Sequence, residues 1–144
     1  MLARNLADFG CDTEAENFMH EWLHRNIVIN KDLWRHIERL RRSDVKCYLA
    51  SNQEKHRARY MKNDLGYDGH FDGLYFSCEI GALKPTAAYF NRLIEKIGIE
   101  PAKMLFFDDY EESVISAGRL GINAEVYRDF TNYLKLVKRY RLTF

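Results

Sequence analysis

Apolar residues recur along the chain in two rhythms, and the changes of rhythm mark its elements. Ala15, Phe18, Met19 and Trp22 fall at i, i+3, i+4 and i+7, one face of a helix, with Thr13 where an N-cap would stand. From near Asn30, Leu33, Ile37 and Leu40 make a second amphipathic helix. The period then shortens. Val45-Lys46-Cys47-Tyr48-Leu49-Ala50 is short, rich in β-formers and mostly apolar, which predicts a buried strand. Ser51-Asn52 breaks it and can cap the next helix. Ala58, Met61 and Leu65 lie on one face of that helix, which stops near Gly66. Leu74-Tyr75-Phe76 is a second strand. Lys84-Pro85-Thr86 opens a helix that turns Phe90, Leu93, Ile94 and Ile97 inward and ends at Gly98. Met104-Leu105-Phe106-Phe107 is the clearest strand, and two aspartates come directly after it. Val114, Ala117, Gly118 and Gly121 mark the packing side of another helix. Ala124-Glu125-Val126-Tyr127 is a last strand, and Phe130, Tyr133, Leu134 and Val137 form a final helix face.

Helices lead, and strand and helix then alternate four times. That order predicts an α/β fold built on a parallel sheet. The 144 residues suit one domain with a single core. The 47% apolar and 30% charged fractions are those of a globular protein, and 14% aromatics argue against disorder. Lys and Arg number 22 against 21 Asp and Glu, so neither nucleic acid nor membrane is expected as a partner. The basic tail from Lys135 to Arg141 reads as the solvated side of an amphipathic helix. Cys11, Cys47 and Cys78 are odd in number and widely spaced, which disfavours a disulfide framework and points to a reducing compartment, the cytoplasm.

Ligands of parallel sheets bind beyond the carboxyl ends of the strands. Three stretches occupy those positions here: Ser51-Asn52, the loop from Ser77 to Lys84, and Asp108-Asp109. A hydroxyl and free backbone N–H groups at a strand-to-helix turn can hold a phosphate oxygen. A lysine adds a compact positive charge. Paired carboxylates suit Mg²⁺, a hard cation bound by one or two carboxylates plus substrate phosphate. Together these describe a phosphoryl-transfer site, where catalysis is mostly positioning and charge neutralisation.

At these residues the sequence resembles the haloacid dehalogenase (HAD) superfamily of hydrolases, in the phosphatase branch with a small helical cap. The family's second motif, an apolar strand ending in Ser or Thr, is matched by Cys47-Tyr48-Leu49-Ala50-Ser51-Asn52. Its third, a lysine in a Gly-x-x-Lys-Pro context, is matched by Gly81-Ala82-Leu83-Lys84-Pro85. Its fourth, an apolar strand with an acidic pair, is matched by Leu105-Phe106-Phe107-Asp108-Asp109. Tyr67-Asp68-Gly69-His70-Phe71-Asp72-Gly73 is similar to the turn that precedes the lysine, and Ser113-Val114 and Gly121-Ile122 match the family's segment after the acidic pair. The likeness runs from about residue 30 to 130. It implies a Rossmannoid core over residues 43–144, with residues 1–42 as a remnant of the cap, in one domain. It also implies hydrolysis of a small phosphate ester. Ser51 and Asn52 would hold the phosphoryl group, Lys84 would neutralise it, and Asp108 would bind Mg²⁺ with help from Asp109. The dehalogenases of the family need no metal, so the acidic pair favours a phosphatase.

The departure concerns the first motif, Asp-x-Asp, which supplies the family's nucleophile and general acid. No Asp-x-Asp occurs in this chain. The resemblance therefore implies enzymatic activity for a longer form, and a catalytically inactive binding module as the alternative. The family's first strand lies between the strands ending here at Ser51 and Asp108. Three arrangements answer its absence: the two strands pair directly, another segment or a second copy of the chain fills the gap in a homo-oligomer, or Met1 is an internal methionine of a longer reading frame. The last is the expectation. A rival chemistry is offered by His20-Glu21-Trp22-Leu23-His24, the His-Glu-x-x-His pattern of zinc proteases. It lacks a third ligand at a recognised spacing, and its histidines would lie opposite the apolar face of their helix.

Overall fold

The computed structural model describes residues 15–25 and 27–142, and on the first helix the side chains of Asn17, Phe18, Glu21, Trp22, Leu23 and Arg25. The chain divides into two compact units, Met1–Asn30 and Lys31–Phe144. The first contains helix α1 (Ala15–Arg25), closed by an Arg25–Glu21 ion pair one turn apart at 2.8 Å. Phe18 and Trp22, expected to face inward, are exposed, while Leu23 is buried. Thr13, expected as the N-cap, lies outside the described residues.

The second unit opens with α2 (Lys31–Arg42) and then alternates: β1 (Tyr48–Ser51), α3 (Lys55–Asn63), the one-turn α4 (Tyr67–His70), β2 (Gly73–Phe76), the one-turn α5 (Ser77–Ile80), α6 (Ala87–Ile97), a 3₁₀ turn (Pro101–Lys103), β3 (Leu105–Asp108), α7 (Glu111–Arg119), β4 (Asn123–Val126) and α8 (Phe130–Arg139). Among the described residues all strand pairing is parallel. β1 pairs with β2 in the register Ala50 to Tyr75, and β3 with β4 in the register Phe106 to Ala124. The four strands form two separate two-stranded sheets, so β1 and β3 do not pair directly. Every residue of β1 and β4 is only half-buried, as are the first three of β2 and of β3. In an all-parallel sheet, strands are ordinarily covered on both faces.

What holds the two sheets in one unit is a common floor. Ile80, Tyr89, Phe90, Leu93, Ala117 and Ile122 form a buried cluster, and Ala50 and Tyr75 of one sheet and Phe106 and Ala124 of the other pack on it. These two register pairs share a face with their neighbours at period two, so each sheet sets one row of side chains on α6 and α7. Tyr89 and Phe90 are fully buried. The Tyr89 hydroxyl donates to the Tyr75 carbonyl at 2.6 Å, and the Phe90 and Phe106 rings meet edge to face at 5.3 Å. Burial, and then the nearby Asp108 charge, push the Tyr89 pKa far upward, so the hydroxyl remains a donor. On the other face α8 covers β3, with Tyr133 and Phe107 centred 4.8 Å apart. α2 joins α8 through His36 and Tyr133, and reaches α4 through Trp34 and Tyr67.

Local chemistry fixes the element ends. Thr86 caps α6 by accepting the Tyr89 N–H, and Gly98 closes it at φ +70°. α3 is capped by Glu54, whose carboxylate accepts the His56 and Arg57 N–H groups, and not by Ser51 or Asn52. The face expected on α7 is corrected too: Ser113 and Ala117 are buried, whereas Gly118 and Gly121 are exposed, Gly121 at φ +85° where the chain turns into β4. Asp72 locks the start of β1 to the start of β2, accepting the Cys47 N–H at 2.9 Å and the Arg41 guanidinium at 3.2 Å, with Lys46 at 3.5 Å. The Cys47 thiol beside it is pushed up to about 11, first by burial and then by the Asp72 charge. Among the described residues no helix is long and apolar enough to cross a membrane.

This packing has two measurable outcomes. Phe90→Ala empties the floor under both sheets and is expected to destabilise the chain by about 3–5 kcal/mol in urea unfolding. The second concerns acid. Burial works against the Asp72 carboxylate, but the Cys47 N–H, Arg41 and Lys46 outweigh it and hold its pKa below the ordinary 3.8. Its stabilisation is therefore full above about 3.8 and lost as pH falls through the lower, folded value. The unfolding midpoint of the native chain should drop more steeply over that acid range than that of Asp72→Asn. Parallel pH curves would remove the role assigned to Asp72.

Candidate active site

The carboxyl ends of β1 and β3 are brought together by side chains. Ser51 is the last residue of β1 and Asp108 the last of β3. Between them stands Lys84, in the loop after α5, followed by a cis peptide to Pro85. Asn52 holds that loop with both ends of its amide: its Nδ2 donates to the Lys84 carbonyl at 2.9 Å, and its Oδ1 accepts the Lys84 N–H at 2.9 Å. The main chain of Lys84 is thereby fixed to the end of β1. Its side chain crosses to the other sheet, where Nζ donates to Asp108 Oδ2 at 2.5 Å and lies 5.6 Å from the centre of the Phe106 ring. The two side chains are 12% and 6% exposed, so this is an ion pair largely withdrawn from water.

Asp108 is held from both sides. Its Oδ1 accepts the Tyr110 N–H at 2.9 Å as the chain turns into α7, and its carbonyl accepts the Tyr127 N–H at 2.8 Å beyond β4. Asp109, next along, is exposed. The Ser51 hydroxyl accepts from Gln53 Nε2 at 2.9 Å. Gln53 is itself clamped by the buried Ser77 at the head of α5: its N–H donates to Ser77 Oγ at 3.0 Å, and that hydroxyl donates back to the Gln53 carbonyl at 3.2 Å.

Of the residues singled out in the sequence, Lys84 and Asp108 meet directly, and Asn52 joins them through the Lys84 main chain. Ser51 adjoins them as the neighbour of Asn52. The Asn52 amide holds the Lys84 main chain through one Nδ2 hydrogen and Oδ1. Gln53 carries no motif signal and Ser77 marks only the start of the loop that ends at Lys84, and their contact with each other spans 24 residues. The side chains of His20 and His24 lie outside the described residues.

The fit of a divalent cation can be judged from the donors. Among the described residues no group of three or more His, Cys, Asp or Glu side chains is arranged to hold a metal ion. Asp108 and Asp109 offer two adjacent carboxylates, and a carboxylate has acceptor capacity beyond two hydrogen bonds. One or two carboxylate oxygens are what Mg²⁺ ordinarily takes from protein, the remainder coming from water and substrate phosphate.

Comparison with known proteins bears on this arrangement. Among solved structures, a HAD family enzyme from Bacteroides thetaiotaomicron in complex with magnesium and inorganic phosphate superposes with a TM-score of 0.71, at 23% identity, over 89% of this chain and 69% of that one. A predicted HAD-like family hydrolase from Porphyromonas gingivalis gives a TM-score of 0.71 at 23% identity over 99% and 72% of the two chains. Identities this low establish the fold. Among curated proteins, enolase-phosphatase E1 of Leptospira interrogans is 24% identical over 86 residues, 60% of this chain and 36% of that enzyme. Mouse bifunctional epoxide hydrolase 2 is 32% identical over 53 residues, 37% of this chain and 10% of its own length. The chain thus spans only about a third or less of these relatives. The family model "haloacid dehalogenase-like hydrolase" matches residues 5–121, most of the sequence and all of the ion-paired centre, and the chain belongs to that family.

Proposed function

We propose that the Lys84–Asp108 centre binds the phosphoryl group of a small phosphorylated metabolite, as the charge-compensating part of a Mg²⁺-dependent phosphatase site in the cytoplasm. The observation that carries the reading is the withdrawn ion pair, 2.5 Å long, at the converging carboxyl ends of two parallel sheets. In a site of low dielectric an ammonium acts strongly on an incoming anion. Asp108 takes one of the three Lys84 donors, and the other two are available to phosphoryl oxygens. Ser51 supplies a hydroxyl donor beside it. Asn52 keeps Lys84 in reach of both sheets and need not touch the ligand. Mg²⁺, held by Asp108 and Asp109, would neutralise charge on the phosphoryl group. The chain contains no Asp-x-Asp to attack phosphorus, so for this polypeptide the reading is binding and orientation of the phosphoryl group, with turnover assigned to a form that also carries a nucleophile.

The purified chain should bind inorganic phosphate in calorimetric titration. Lys84→Met should weaken that binding by about ten-fold or more, the scale of a lost charge-assisted hydrogen bond. The same chain should leave p-nitrophenyl phosphate intact. Mg²⁺-dependent turnover that disappears in Lys84→Ala would show that another carboxylate serves as the nucleophile. The stability of the pair supplies a further check. Lys84→Met or Asp108→Asn alone leaves an uncompensated polar or charged group and should cost up to about 3–5 kcal/mol. The double variant Lys84→Met/Asp108→Asn should cost less than the sum of its parts. Additive costs in urea unfolding would mean that the two side chains are not coupled.

A further inference from the structure

The Ser51 hydroxyl has one hydrogen to give and two lone pairs to fill, and a free hydroxyl rotates to suit its neighbours. In this structure one lone pair is taken by the Gln53 side-chain amide, whose Nε2 donates to Oγ at 2.9 Å. A donor in that position cannot receive the hydroxyl hydrogen, which must then point to another acceptor. The main chain of Gln53 is anchored. Its N–H and its carbonyl are both bound by the single hydroxyl of Ser77, itself 5% exposed. Ser77 in turn begins α5 directly after β2, the strand paired with β1. The link therefore runs from the end of β2, through Ser77 and Gln53, back to the end of β1.

From this link we infer that Gln53 is a positioning residue. With its main chain held by Ser77, its side-chain amide donates to Ser51 and leaves that hydroxyl as a hydrogen-bond donor toward an anion in the Lys84–Asp108 centre. The inference rests on the phosphate-binding reading above and deepens it. A rotor already turned toward the ligand does not have to be ordered on binding, so part of the entropic cost of association is removed in advance. It also gives the site a polarity: a group that must accept from Ser51, such as a phosphoryl oxygen, is favoured over one that must donate to it.

Two isosteric variants separate orientation from packing. Gln53→Met keeps the length of the side chain and removes the donor. Gln53→Glu keeps the shape and presents an acceptor, which draws the Ser51 hydrogen away from the site. Inorganic phosphate is titrated into the purified native chain, both variants, Ser51→Ala and the two double variants. The expected result is a loss of about two- to five-fold for Gln53→Met and about ten-fold or more for Gln53→Glu. The excess loss of Gln53→Glu over Gln53→Met should shrink once Ser51 is alanine. A carboxylate acting by charge repulsion alone would keep that excess in the Ser51→Ala background and would overturn the inference. So would equal affinities of the two single variants. In the ligand-free chain, the Gln53 side-chain amide protons should move upfield and exchange faster in Ser51→Ala, as followed by ¹⁵N NMR. Unchanged resonances would show that the amide does not donate to Ser51, whatever the phosphate affinity. Should the native chain bind no phosphate while these resonances do shift, the phosphate reading fails, and the role of Gln53 toward an anion fails with it. Binding without a Gln53 effect removes the inference alone.

Discussion

Lys84 and Asp108 set the terms for the rest of this molecule. Taking two charges out of water costs several kcal/mol each, and a buried ion pair rarely returns more than it loses. Such a pair is better understood as a device of specificity: each charge tolerates its position only while the other is present. Here the charges come from different sheets. Lys84 is fastened to the end of β1 by Asn52, and Asp108 is the end of β3. Any rearrangement that separates the sheets at their carboxyl ends strands a charge.

Beneath that pair, α6 does what strand pairing would do in an ordinary open sheet. It carries Tyr89, Phe90 and Leu93 under rows of side chains from both two-stranded sheets, and Tyr89 reaches up to bond the backbone of β2. The sheets are thus joined by a floor and a bridge. The relation to the reading of function is direct, since a ligand held at the bridge is held by groups from both sheets at once.

Much of this is legible in the sequence, and the reasons differ by element. α6 can be read almost to the residue because its apolar period is strong and Thr86 and Gly98 are unambiguous ends. β3 is plain as an unbroken apolar run before two acids, although the strand includes Asp108. Lys84 and Asp108 can be brought to one end of the sheets in advance because each stands at or after the carboxyl end of a strand in a parallel fold, whereas their direct ion pair cannot be read from the sequence. The one-turn helices α4 and α5 are invisible, being too short for any period to register. The cap of α3 is easily misplaced because Ser51 and Asn52 are good capping types, and nothing local says that they are engaged elsewhere while Glu54 does the capping. Gly118 and Gly121 look like packing positions by their size, yet Gly121 is there for its backbone angle. Gln53 and Ser77 lie 24 residues apart, and only folding makes them neighbours.

The two-sheet arrangement also changes what stability means for this chain. A parallel strand with one hydrogen-bonded neighbour leaves the peptide groups of its other edge to water, and among the described residues β1 and β3 each have one such neighbour. Any extended backbone that docks along such an edge binds the folded chain and not the unfolded one. It therefore adds stability that grows with the logarithm of its own concentration. With such a strand present, the melting temperature would report its concentration as well as the sequence.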